Sequence, residues 1–326
     1  MDRRSFLKTA GIIGSTALVS QVLPAQTVQV SNSLETQMST DPLLEGICDL
    51  HIHAAPDVKK RTVNEWELSR RAKGCGYKAV LFKSNVWSSH DCAYLVHQSF
   101  PGFDCYGSLV MNLAFGNKVN AYAAEQALKT SGNLCRCIWM PTQNAVYPST
   151  VETGHSGTTI PVVDTSGKVL PEVVRVMELC AEADIIFATG HSSPQESLAM
   201  AKKAKEIGVG KFVITHANSR IWRLTHDQIQ QAVDLEAWIE YCYLPRLWGA
   251  GTGLPNMKRQ SAEKFAEYIR LAPERSFVST DLGSDGMPEP IAGMKLCIEE
   301  MIASGIPQQI IDLQVRTNPT RLLGLN

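Results

Sequence analysis

The 326-residue chain has no excess of charge of one sign: 31 lysines and arginines stand against 32 aspartates and glutamates, a formal net charge of −1. The two signs are mixed along its length, so no field exists to gather nucleic acid or an anionic membrane surface. Nucleic acid is therefore not expected as a partner, and a small neutral or weakly charged molecule is the expected substrate. An apolar run of the ~20 residues that a membrane-spanning helix needs is also missing; the stretch from Thr9 to about Val22 stops short of it. There is no low-complexity tract and no internal repeat beyond an alternation of apolar and amphipathic runs. Nine cysteines are present, but the chain is long enough to stand on its own core without disulfides. Cys48, Cys105, Cys135, Cys137 and Cys242 fall in or beside apolar runs, where a thiol acts as a small hydrophobe.

The N-terminus has the order of a secretory signal: the basic run Asp2-Arg3-Arg4-Ser5-Phe6-Leu7-Lys8, a short apolar segment, then Leu23-Pro24-Ala25. Paired arginines followed by Ser-Phe-Leu-Lys resemble the bacterial twin-arginine signal. That resemblance implies a signal peptide over 1–25, passage of the folded chain through the twin-arginine export machinery, and a periplasmic or otherwise exported product with no stable membrane span after processing. Residues 26–41 are polar and read as a flexible leader, which leaves 42–326 for the folded domain.

Within that domain, eight short β-rich runs alternate with amphipathic helical runs. The strands are expected at Ile47–His53, Lys78–Lys83, Asp104–Met111, Leu134–Met140, Ile185–Thr189, Phe212–His216, Ala237–Cys242 and Ser276–Asp281. Repeated βα units of this kind predict a parallel sheet, and roughly 250 residues suffice to close one into a single (β/α)8 barrel. The longest connection, Thr142–Leu170, exceeds the ~15 residues of ordinary loops and is expected to form a hairpin or lid over the barrel mouth.

Asp49-Leu50-His51-Ile52-His53 places two imidazoles on one face of the first strand, where both can grip one metal ion. His191, His216 and Asp281 then stand at the C-terminal ends of later strands, where active sites of such barrels are built. Four imidazoles and a carboxylate converge in this way chiefly around a metal. Glu240, in the seventh strand, is expected to face the interior as an ion-pair or hydrogen-bond partner. Asn85, Asn218, Arg220, Trp139 and Arg246 are weaker candidates for substrate contacts, and Asn112 and Trp248 join them as residues near strand ends.

These features together resemble the amidohydrolase superfamily: His-x-His on strand one, histidines after strands five and six, and an aspartate after strand eight. Asp49 to Asp57, Leu81-Phe82-Lys83-Ser84-Asn85 and Ile138-Trp139-Met140-Pro141-Thr142 are similar to a little-characterised branch of it without an agreed substrate. The resemblance implies one or two divalent ions, Zn2+ first among them, with His51 and His53 on the more buried ion and His191 and His216 on the more exposed one. It gives Asp281 two roles, metal ligand and acceptor of a proton from the attacking water. The carboxylated lysine that bridges two metals from strand four in well-known relatives has no counterpart at Trp139-Met140-Pro141-Thr142. Lys83, at the end of strand two, is the residue that could replace it, as a carbamate metal ligand or as an ammonium turned to a substrate carboxylate. The implied activity is hydrolysis of an amide, lactone, cyclic imide or ester. A metal-dependent decarboxylase, a phosphoesterase and a non-catalytic exported metal-binding barrel are the alternatives. The sequence is compatible with a homo-oligomer without specifying one.

Overall fold

The computed structural model describes residues 41–147 and 157–325. The expected export signal, the leader up to residue 40 and part of the long loop lie outside the described residues.

Eight parallel strands run in sequence order around one sheet: β1 (Cys48–Ile52), β2 (Ala79–Phe82), β3 (Asp104–Val110), β4 (Cys135–Trp139), β5 (Ile186–Ala188), β6 (Phe212–Ile214), β7 (Trp238–Cys242) and β8 (Ser276–Ser279). Between and after them lie α1 (Glu65–Gly74), α2 (His90–Ser99), α3 (Ala121–Lys129), α4 (Pro171–Glu182), α5 (Pro194–Ile207), α6 (His226–Asp234), α7 (Ala262–Leu271) and α8 (Pro290–Ala303). Short helical turns then run to Leu323. This is the expected single-domain (β/α)8 barrel.

Each strand lies within its expected run, and β1, β2, β5, β6 and β8 stop before the run's polar end. Lys83 and His53 therefore stand one residue past their strands, His216 and Asp281 two, and His191 three. The barrel closes through this polar margin rather than through a β1–β8 ladder. The Asp281 amide donates to the His51 carbonyl at 2.8 Å and the His53 amide to the Leu282 carbonyl at 2.8 Å. Gly283 makes the approach possible, since a Cβ there would collide with the His53 carbonyl. The joint that closes the barrel thus also sets Asp281 beside His51 and His53.

The main core lies among the strands and helices. A second cluster draws Leu50, Leu81, Trp139, Val213, Trp238 and Phe277 from six different strands, as a layered barrel interior requires. Helix starts near the site are fixed by their own sequence. Ser193 and Glu196 form a reciprocal capping box on α5, and Thr225 and Gln228 form one on α6. All nine cysteines are free thiols, and the five expected in packing positions are buried. In the long loop a short hairpin joins Val163 to Val169, while Ile160, Val162 and Val169 are buried in the main core.

Candidate functional site

His51, fully buried in β1, is held between two carboxylates. Its Nδ1 lies 3.0 Å from Glu240 Oε1 and its Nε2 lies 3.1 Å from Asp281 Oδ1. The second contact is close but not aligned, so Nε2 has no hydrogen-bond partner. Glu240, in β7, also accepts from the Ser279 hydroxyl at 2.7 Å; it faces the interior as its strand position suggested, and its partner there is His51.

His53 reaches the same Asp281 oxygen with Nε2 at 3.2 Å, while its Nδ1 lies 3.1 Å from Arg61 Nη2. A guanidinium has no acceptor, so the neutral ring takes Arg61's hydrogen at Nδ1 and donates from Nε2 to Asp281. Arg61 is itself anchored to Asp57 at 2.7 Å and to Ser284 at 3.0 Å.

His216 and Asp281 both adopt left-handed backbone, with φ of 58° and 54°. Such geometry is disfavoured for residues with a Cβ and concentrates at functional sites. It turns both side chains inward just past their strands: His216 Nδ1 comes within 3.7 Å of Asp281 Oδ2 and 3.1 Å of Cys242 Sγ. His191 follows Gly190, where a Cβ would collide with the Met140 carbonyl. Its ring lies 5.2 Å from that of His216, and Trp222 stacks on both at 4.2 and 4.8 Å.

The electrostatics divide the imidazoles. Burial opposes protonation of His51, but Asp281 and Glu240 on its two nitrogens outweigh burial and push it up to about 9. Burial takes His216 down to about 4, and burial with the nearby cation Lys83 holds His53 well below the ordinary histidine range. His191 is likewise held low by burial and by His216. Asp281 stays ionised despite its burial because His51 and His53 face it.

His51, His216 and Asp281 offer donor atoms within 4.8 Å of one another, and so do His51, Glu240 and Cys242 one layer deeper. Only the first group opens to space. His216 and Asp281 line a cavity of about 270 Å³ together with His53, Lys83, Asn85 and His191, whereas Glu240 and Cys242 do not reach it. The buried, unpartnered Nε2 of His51 and this donor chemistry fit a divalent metal ion.

The weaker candidates scatter. Lys83 is buried on the cavity wall, its Nζ 5.3 Å from the Trp139 ring centroid. Burial lowers its pKa, and among the described residues no carboxylate lies within ion-pair distance of it. Trp139 packs beneath His51 at 4.7 Å and does not line the cavity. Asn85 lines it and joins Asp57 and Asn112 in one hydrogen-bonded group. Asn218 is a staple, exchanging hydrogen bonds with the Cys242 backbone at 2.9 Å. Arg220 lines a neighbouring depression, and Arg246 pairs with Glu300 outside the cavity at 2.5 Å. Arg246 is thereby corrected from a substrate contact to an ion pair joining the segment after β7 to α8.

Sequence reading missed Arg61, Lys59 and Trp222, all on the cavity wall. The run Asp57-Val58-Lys59-Lys60-Arg61, immediately past β1 on the active face of a barrel, was the available signal for the first two. Nothing periodic marks Trp222, which stands in the loop that follows His216.

Comparison with solved structures gives the same fold at low identity. An amidohydrolase from Pseudomonas aeruginosa shares 11% identity at a TM-score of 0.57, covering 86% of this chain and 97% of that one. A protein described as an organophosphate-hydrolysing design from a weak promiscuous lactonase template shares 13% at 0.56, covering 86% and 96%. A 2,6-dihydroxybenzoate decarboxylase shares 11% at 0.51, covering 86% and 100%. No curated protein matches the chain. The model of a family of unknown function, DUF6282, matches residues 46–240. That span is more than half of the sequence, and the chain therefore belongs to the DUF6282 family.

Proposed function

We propose that the protein is an exported metal-dependent hydrolase of the amidohydrolase type, acting on a carbonyl centre in a small amide, lactone, cyclic imide or ester. The observation that carries this reading is the convergence of His51, His216 and Asp281 on one point beside a cavity, with His51 Nε2 left without a hydrogen bond. These three form the innermost donor group, and His53 and His191 complete the shell from the rim. A divalent ion held there, Zn2+ by the imidazole-rich donor set, supplies Lewis acidity and draws the pKa of a water toward about 7.

The chain's own residues supply the rest. Glu240 fixes the His51 ring by taking its Nδ1 hydrogen, the arrangement that keeps Nε2 directed inward. Asp281, ionised and central, accepts the proton of the attacking water and returns it to the leaving group. Arg61 holds His53 against Asp281, and Trp222 covers His191 and His216 and keeps bulk water from them. A metal analysis of the exported protein, joined to a screen against lactones, amides and phosphate esters, tests the reading. Protein that carries no metal when isolated from its native compartment, or turnover of phosphate esters alone, would overturn it.

Metal affinity should depend steeply on pH. His51 is protonated below about 9 in the ion-free protein, and binding through Nε2 displaces that proton. Affinity for Zn2+ therefore rises about tenfold per pH unit from about pH 7 and levels near the His51 pKa, with one proton released per ion. Calorimetric titration in buffers of different ionisation enthalpy counts the proton; an affinity that is flat over this range would contradict the assignment of His51.

Export through the twin-arginine machinery is part of the same proposal and rests on the ordered run from Arg3 to Lys8. Replacing Arg3 and Arg4 with lysine should leave precursor in the cytoplasm, measured by fractionation. An unchanged periplasmic yield would mean another route.

A further inference from the structure

The cavity is lined unevenly. On the β1–β2 side stand three cations, Lys59, Arg61 and Lys83, and the loops after β6 and β7 supply an apolar wall from Trp222, Trp248 and Leu254. Asp281 is the one carboxylate on the described lining. Arg61 is already matched by the buried Asp57 at 2.7 Å. Lys59 and Lys83 have no carboxylate within ion-pair distance among the described residues. Lys83 is moreover almost wholly buried, at 3% exposure. A buried ammonium facing an opening without a counter-ion is costly unless a ligand supplies the charge.

Resting on the reading of this cavity as the substrate site, we propose that the substrate bears a carboxylate held by Lys59 and Lys83, with its apolar body against Trp222 and Trp248. The carbonyl under attack then lies between these ends, next to His216 and Asp281. A cavity of about 270 Å³ is at the small end of ligand sites, which fits a monocyclic or short-chain acid. The near-zero net charge of the whole chain gave no hint of this, because the charge that matters is local.

The test titrates the full exported protein with phenylacetate and with its neutral isostere phenylacetamide, following tryptophan fluorescence and heat. Because a bound metal also attracts carboxylates, each titration is run on Zn2+-loaded and on chelator-treated protein. Phenylacetate should bind at least about tenfold more tightly than phenylacetamide in both forms. Lys59→Met should bring the ratio below about threefold, and Lys59→Arg should restore it. Lys59 is exposed at the rim, so its replacement leaves the packing intact. Equal binding of the two probes, or a ratio untouched by Lys59→Met, overturns the inference. A preference found only in Zn2+-loaded protein assigns the anion to the ion, and it too overturns the inference while leaving the hydrolase reading in place. A Lys59-dependent preference in protein that takes up no Zn2+ does the reverse.

Discussion

His51→Ala should remove bound Zn2+, lower activity by at least about a thousandfold, and destabilise the ion-free fold by about 3–5 kcal/mol. The first two effects follow from placing His51 in the innermost donor group, and the third from its surroundings. Its ring is fully buried between Glu240 and Asp281, so alanine leaves two carboxylates facing each other across a small void with no cation between them. Sequence alone suggests a milder outcome, because ligands on the rim of a barrel can be lost without touching its packed layers. His191 is such a rim residue, whereas His51 sits one layer down. The pH dependence has a definite sign as well. The His51 pKa is raised on folding, so its contribution to ion-free stability is complete below the ordinary value of 6.5 and is lost as pH rises through about 9. Metal content, steady-state kinetics and denaturant unfolding with and without chelator measure the three effects separately. A His51→Ala protein with stoichiometric metal would end the assignment.

The second large effect is expected at Lys83. Lys83→Ala should reduce kcat/KM on a carboxylate-bearing substrate by about a hundredfold or more, with metal content unchanged at one ion per chain. Lys83 lines the cavity, its Nζ 5.3 Å from the Trp139 ring centroid. Burial lowers its pKa without a carboxylate contact to hold it, which also makes a neutral amine available to carbon dioxide. Metal analysis decides between the two states. If Lys83→Ala loses one of two ions, and a short carboxylic acid added to the buffer restores it, Lys83 is a carbamate bridge and the centre is binuclear. If the ion count stays at one and the loss falls mainly on KM for acidic substrates, Lys83 is an ammonium that contacts substrate.

How far the site could be read from sequence depended on whether its residues were tied to a periodic element. His51 and His53 were legible because a strand's period of two puts them on one face beside an apolar alternation. His191, His216 and Asp281 were legible as polar residues ending β-rich runs. Arg61 and Lys59 carry no period, and a loop of Lys and Arg after Pro56 looks like any solvated turn until its guanidinium is found buried on Asp57. Arg246 and Asn218 differ in the opposite sense. Both stand near strand ends, and their partners, Glu300 and the Cys242 backbone, tie them into the scaffold.

By itself, then, the sequence determined the eightfold alternation and hence the barrel, the strand ends on which polar residues collect, and the identity of the four imidazoles and the carboxylate. These follow from local periodicity and chain direction, which act over a few residues. The tertiary structure alone decided which of those groups lie within 4.8 Å of one another, that His51 is held between Glu240 and Asp281, and that cations line one side of the cavity opposite an apolar wall. Those properties depend on contacts across 189 residues between His51 and Glu240, and 228 between His53 and Asp281. They are set by how the barrel brings β1 beside β7 and β8, a distance in space that no local pattern encodes.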